Sequence, residues 1–184
     1  MTHLECKTLY TLDIKGIEPL AEKGMFRGYA STPSMDKIKD IVLSGAFENT
    51  LQKWEKDKEG LPNIYEEHDR NHFIGTCKKL SEDAKGLYME GKLFIEDIPR
   101  ARHVYNALVG GSKYGLSIGF HVKKYALEKG VRLIKQLDLV EISIVNYPCN
   151  AEAKIYEFKT DHDPTDLSAL HQLCKLIASI KKAH

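Results

Sequence analysis

The sequence predicts an α+β domain: a β-rich antiparallel sheet or small barrel with helices around it. Three observations carry this expectation. Roughly seven short apolar-alternating segments are separated by Gly, Pro, Asn and Asp punctuation, the signature of compact β architectures. Two stretches between them instead repeat apolar residues at helical spacing. The longest pair of strand-like segments flanks Glu128-Lys129-Gly130, a turn that folds residues 114–147 into one long hairpin.

Taken in order, Leu9 to Ile14 and Met25 to Thr32 read as strands, punctuated by Gly24 and Pro33. Ser44 is placed to cap a helix whose Phe47, Leu51 and Trp54 fall at i, i+4 and i+7, one stripe facing the sheet. Gly60-Leu-Pro62 ends it, and a strand over Asn63 to Glu67 leads into the polar turn His68-Asp69-Arg70-Asn71. Phe73 to Leu80 and Leu87 to Phe94 form a hairpin pattern around Asp83 to Gly86. A second helix starts with Asp97 as N-cap and Pro99 in its first turn, carries Ala101, Val104, Tyr105 and Leu108, and stops at Gly110-Gly111. Tyr114 to Leu127 and Val131 to Tyr147 make the long hairpin, and Ala153 to Phe158 adds a last strand.

These elements define a domain over residues 1–158. Residues 159–184 read as a polar linker and a final helix in which Asp163 caps, Pro164 starts, and Leu167, Leu170, Cys174, Ile177 and Ile180 line one face. That apolar stripe fits the domain's own core, a second copy of the chain, or another protein.

Composition removes several function classes. Twenty-seven Lys and Arg nearly cancel twenty-six Asp and Glu, so no basic footprint for nucleic acid is expected. Nothing approaches eighteen consecutive apolar residues, and Met1 to Lys7 lacks a basic segment followed by an apolar run, so neither a membrane span nor a secretory signal is expected. Cys6, Cys77, Cys149 and Cys174 are scattered without metal spacing and read as reduced, small buried hydrophobes. His68 and His72 are four apart, but that spacing converges on a metal only in a helix, and this stretch reads as a loop. No metal or cofactor is expected.

Three segments place reactive side chains where the pattern expects sheet: Glu67-His68-Asp69, Leu116-Ser117-Ile118-Gly119-Phe120, and Val140-Glu141-Ile142-Ser143-Ile144-Val145. Leu116, Ile118 and Phe120 alternate to one face, leaving Ser117, Gly119 and His121 on the other; Glu141 and Ser143 lie opposite Val140, Ile142 and Ile144. A turn centred near Lys129 brings Ser117 and Glu141 together, to within a register error of about two residues. A serine hydroxyl becomes nucleophilic when a base within reach takes its proton, and histidine does so near neutral pH. His68 is the candidate base, and a carboxylate such as Glu141 suits the role of fixing its tautomer. Taken singly, each has a plainer explanation: a solvated strand serine, a surface carboxylate, a turn histidine. Gly115 and Gly119 leave room for a substrate or loop to approach, or mark a bulge.

From about Met25 to Lys154 the chain resembles the caudovirus prohead protease family. The motifs are Phe26-Arg-Gly-Tyr-Ala-Ser31, Asp36, Asp40-Ile-Val, Gly45-Ala-Phe47, Thr50-Leu51, His68-Asp69, Ile74-Gly75, Gly86-Leu87, Gly91, Leu116-Ser-Ile-Gly-Phe120, Glu141-Ile-Ser-Ile-Val145 and Pro148-x-Asn150, in family order. The resemblance implies a herpesvirus-assemblin-like fold and a serine endopeptidase that digests scaffold and capsid-protein segments during phage head maturation and commonly trims itself. It makes Ser117 the nucleophile, His68 the base and Glu141 the acidic third member. It implies scaffold and major capsid protein as partners, self-association, and a location in the bacterial host cytoplasm inside the assembling prohead. Where the family often has Pro-Ala-Asn, this chain has Pro148-Cys149-Asn150, a change expected to affect packing more than chemistry. Two other readings compete: a catalytically silent capsid-scaffold binding module of the same fold that docks through the final helix, and a nonviral β-barrel ligand-binding protein with a deep apolar pocket.

Overall fold

The computed structural model describes residue 20 and residues 22–56 and 60–160. The strand expected at Leu9 to Ile14, the final helix, and Cys6 and Cys174 lie outside the described residues. Within them the chain forms β1 (Met25–Ser31), β2 (Asp40–Val42), α1 (Glu48–Lys56), β3 (Asn63–Glu66), β4 (Asp69–Asp83), β5 (Gly86–Leu93), α2 (Pro99–Val109), β6 (Gly115–Glu128), β7 (Val131–Val145) and β8 (Ile155–Phe158).

β7 organises the sheet. One edge pairs antiparallel with β6 through a two-residue turn, where Lys129 and Gly130 take φ of 49° and 81°, the left-handed pair that suits a tight hairpin. The other edge is divided: β2 lies parallel beside Arg132–Ile134 and β3 parallel beside Ile142–Ile144. Between these two contacts α1 and the chain leading into it take over. Leu137 N–H donates to Ala46 O at 3.2 Å, and Leu139 N–H donates to Thr50 Oγ1 at 3.2 Å. Every strand-edge donor left buried needs a partner, and the helix supplies one where no strand does.

From β3 the sheet continues antiparallel through β4, β5, β1 and β8. Just before β8, Lys154 forms an antiparallel bridge with Gly115, and Leu116 N–H donates to Ala153 O at 3.0 Å. The sheet thereby returns to β6 and closes as a small barrel, mixed rather than wholly antiparallel because β2 and β3 run with β7. Phe26, Ile64, Met89, Leu116, Ile142 and Ile144 fill its interior and are essentially inaccessible.

Two expected helix caps differ from what is found. The turn into α1 is held by Glu82 of β4, whose Oε1 accepts the Gly45 N–H at 2.8 Å. α2 has Ile98 at its N-cap with no side-chain bond, so Asp97 does not cap it. Pro99 follows in the first turn and lacks one of the N–H groups that would need a partner. β2 falls on the Asp40-Ile-Val motif, where the residue pattern by itself marks no strand. Its three residues are too few for a period to be read, and its partner lies far along the chain.

Candidate active site

β6 and β7 carry two of the three candidate groups, and their register decides whether these meet. From the turn inward the pairing runs Glu128 opposite Val131, then reaches Phe120 opposite Leu139; after an extra residue on β7, Val140, it resumes with Gly119 opposite Glu141 and Ser117 opposite Ser143. Earlier irregularities on the two strands, at Lys123 and Lys135, cancel each other. The Val140 bulge therefore moves the pairing by one residue, which in a strand exchanges faces. Without it Ser117 would stand opposite Ile142. With it, Ser117, Gly119, Glu141 and Ser143 share one face while Ile142 and Ile144 keep to the core.

His68 arrives from the β3–β4 connection. Glu67 and His68 are the two residues between Glu66 and Asp69, and both have positive φ, 53° and 59°. Because β3 lies beside Ile142–Ile144, this turn stands next to the polar face of β7.

The three side chains converge. His68 Nδ1 lies 2.6 Å from Glu141 Oε1, and His68 Nε2 lies 2.8 Å from Ser117 Oγ. With the ring proton on the carboxylate side, Nε2 is left as the acceptor for the serine hydroxyl. Glu141 is 5% exposed, and its second oxygen accepts a 2.6 Å bond from Ser143 Oγ, itself fully buried. A buried carboxylate needs such partners, and each oxygen here has one. Glu141 holds the His68 imidazolium above its ordinary pKa of 6.5, mainly through their hydrogen bond; burial of the ring pulls the other way, and the charges of Glu141 and Glu67 add to the rise. The imidazole side chain remains 43% exposed, open to an incoming group.

Gly119 and Gly115 have specific reasons to lack a side chain. A Cβ on Gly119 would overlap Glu141 Oε1, and one on Gly115 would press on Pro148 and on Ala153 O. The space serves this chain's own carboxylate and barrel seam. Beside Ser117 a small cleft separates β6 from the end of β1 and from β2, with Ser31, Asp36, Val42, Ile118, Phe120 and Asn150 among its walls. After Leu116 no described strand pairs with this outer edge of β6.

Other candidates fall elsewhere. His72 pairs with Asp69 at 3.4 Å, and no cluster of metal-ligating side chains occurs among the described residues. Cys77 is buried, its thiol pushed up to about 12, as a packing residue should be. Cys149 differs from the expected buried hydrophobe: it is only half-buried, and its Sγ–H donates to Asp36 at 3.4 Å.

A serine, an imidazole and a buried carboxylate in series on a β barrel make up the arrangement of a serine hydrolase. The chain belongs to the family described as caudovirus prohead serine protease, which it matches over residues 11–168. It is 32% identical over 143 residues to the prohead protease of Enterobacteria phage HK97, covering 76% of this chain and 62% of that protein. With the prohead protease of Escherichia phage T5 it shares 29% over 161 residues, covering 83% and 73%. Among solved structures, the capsid assembly protease gp21 of bacteriophage T4 superposes with a TM-score of 0.55 at 11% identity, over 67% of this chain and 82% of that one, a likeness of fold. The match thus spans somewhat under two thirds of the HK97 protein's length.

Proposed function

We propose that this protein is a serine endopeptidase of phage head maturation, with Ser117 as nucleophile, His68 as general base and Glu141 as the group that orients and steadies the imidazole. The observation that carries this is the unbroken series Ser117 Oγ, His68 Nε2, His68 Nδ1, Glu141 Oε1, with contacts of 2.8 Å and 2.6 Å. His68 takes the Ser117 hydroxyl proton as Oγ bonds to the scissile carbonyl carbon. Collapse of the tetrahedral intermediate breaks the C–N bond, and the same proton passes to the departing amine. Water, deprotonated by His68, then releases the acyl group and regenerates the hydroxyl. The open outer edge of β6 suits an extended polypeptide, laid alongside as an added strand with its carbonyl at Ser117. The relatives named prohead protease in phages HK97 and T5 support a place in the assembling head, and scaffold or capsid-protein segments are the substrate class proposed for it.

A fluorophosphonate probe followed by intact mass and peptide mapping tests this. Ser117 is expected to carry the adduct, and Ser117→Ala to leave a co-expressed scaffold protein uncut. Absence of labelling together with undiminished scaffold cleavage by Ser117→Ala would sink the proposal. Binding of scaffold without cleavage by the unaltered chain would favour the silent docking module.

A further inference from the structure

We propose that Glu67 and Asn146 form a clamp that positions His68, fastening the turn that presents the imidazole to the end of the strand that carries Glu141. The inference rests on the reading of His68 as the base.

The turn is one that its own residues do little to favour. A two-residue connection with both central φ positive is ordinarily built from Asn and Gly, whereas here Glu67 and His68 occupy it at 53° and 59°. Larger residues persist in that region when their surroundings hold them there, and such positions concentrate at functional sites. The hairpin's own ladder reaches this turn only through the pair Glu66–Asp69. The β3–β4 pairing is irregular at both steps before the turn, between Ile64 and Tyr65 and between Tyr65 and Glu66.

Three further bonds hold the turn from outside the hairpin. Glu67 N–H donates to Ile144 O at 3.0 Å. Asn146 donates to Glu67 Oε1 twice, from its backbone N–H at 2.7 Å and from Nδ2 at 2.9 Å. All three run to the last residues of β7 or the residue just after it, so the base is registered against the strand that bears Glu141 and Ser143. The charged groups bearing on the His68 ring are Glu141 from β7 and Glu67 beside it in the turn. A turn fastened in this way keeps a half-exposed ring between alcohol and carboxylate before any substrate arrives, and position at this precision is what proton transfer requires.

The test uses the full chain and two measurements: the second-order rate of fluorophosphonate labelling across pH, and the NMR titration of the His68 imidazole. Glu67→Ala, which removes the acceptor, is expected to slow labelling by about tenfold or more, and Asn146→Ala, which keeps the backbone donor, by about threefold. Glu67→Gln keeps an acceptor oxygen but removes the charge. It is expected to label within about threefold of the unaltered rate, with the His68 titration and the labelling midpoint both moved to lower pH. Should Glu67→Ala fail to fold, Asn146→Ala and Glu67→Gln decide. Unaltered labelling rates and an unaltered His68 titration in the folded variants overturn the clamp, as does a fall in melting temperature alone. If the unaltered chain never reacts with the probe, the hydrolase reading fails, while the imidazole titration still decides whether Glu67 and Asn146 hold the ring.

Discussion

Glu141 Oε1 occupies space that a side chain at position 119 would fill. Gly119→Ala is therefore expected to displace the carboxylate from His68 and lower the labelling rate by about tenfold or more, while Ser143→Ala, which frees the other oxygen, has the smaller effect. Comparing the two by labelling kinetics checks this ranking, and equal rates for both variants would contradict it. Glu141→Ala should keep more activity than His68→Ala, because water substitutes for an orienting group more readily than for the base. The pH dependence follows from the same contact. As the proposed base, His68 has to be neutral to accept the serine proton, and Glu141 raises its pKa above 6.5, so the acid limb of the labelling profile should have its midpoint above 6.5. Glu141→Gln should move that midpoint down. The linkage to stability has the opposite sign: the imidazolium contact stabilises the fold fully below pH 6.5, and its contribution is lost as pH rises through the higher folded-state value. Ser117, His68 and Glu141 stood out in the sequence as polar residues in or beside strand patterns, and the family resemblance was what grouped them. Ser143 was visible on the same face without a role. Glu67 and Asn146 were not legible, since their bond joins residues seventy-nine apart and no periodicity marks it.

At the level of single elements, the Val140 bulge is the decisive feature. The hairpin and its turn were readable from Lys129-Gly130, but uniform pairing from that turn sets Ser117 opposite a core isoleucine. A trace of the correction is present in the sequence: the buried residues of β7 change phase, from Ile134 to Leu137 and Leu139 and then to Ile142 and Ile144. Two skips in that alternation are two extra residues on β7, only one of which β6 matches with its own. α1 supports the strand next to the bulge through Thr50, which is buried and accepts the Leu139 N–H. Thr50→Val keeps the volume and removes the acceptor, leaving a buried donor without a partner, and should cost about 1–3 kcal/mol. Urea unfolding measures this directly; an unchanged midpoint would show that α1 is not needed to satisfy β7. Neither helix uses the cap that its neighbouring sequence suggests. Sequence reasoning looks for a cap within a few residues of the helix, whereas Glu82 reaches α1 from a strand and α2 starts without a side-chain cap.

On the scale of the whole molecule, the barrel closes through a narrow seam in which residues 153–158 join β1 to β6. Two glycines make the seam possible: a Cβ on Gly28 would overlap Lys154 O, and one on Gly115 would press on Ala153 O. Gly28→Ala should lower stability by about 1–3 kcal/mol, the usual cost of forcing atoms into a packed site, with a matching fall in melting temperature. Ser117 lies two residues from Gly115, so the same variant should also slow labelling; full activity with reduced stability would show that the seam does not set the nucleophile's position. Fold class was legible because alternation and turn chemistry are local. Closure and the parallel contacts of β7 were not, because they depend on which distant segments meet. One further consequence lies in the order of the parts along the chain. The imidazole rides on an early hairpin and the alcohol and carboxylate on a late one, and the two pair as strands over Ile64–Glu66 with Ile142–Ile144. On the proposed assignment, a polypeptide emerging from the ribosome carries its base before its alcohol and carboxylate, and the three are expected to form a series only once the late hairpin has docked on the early one.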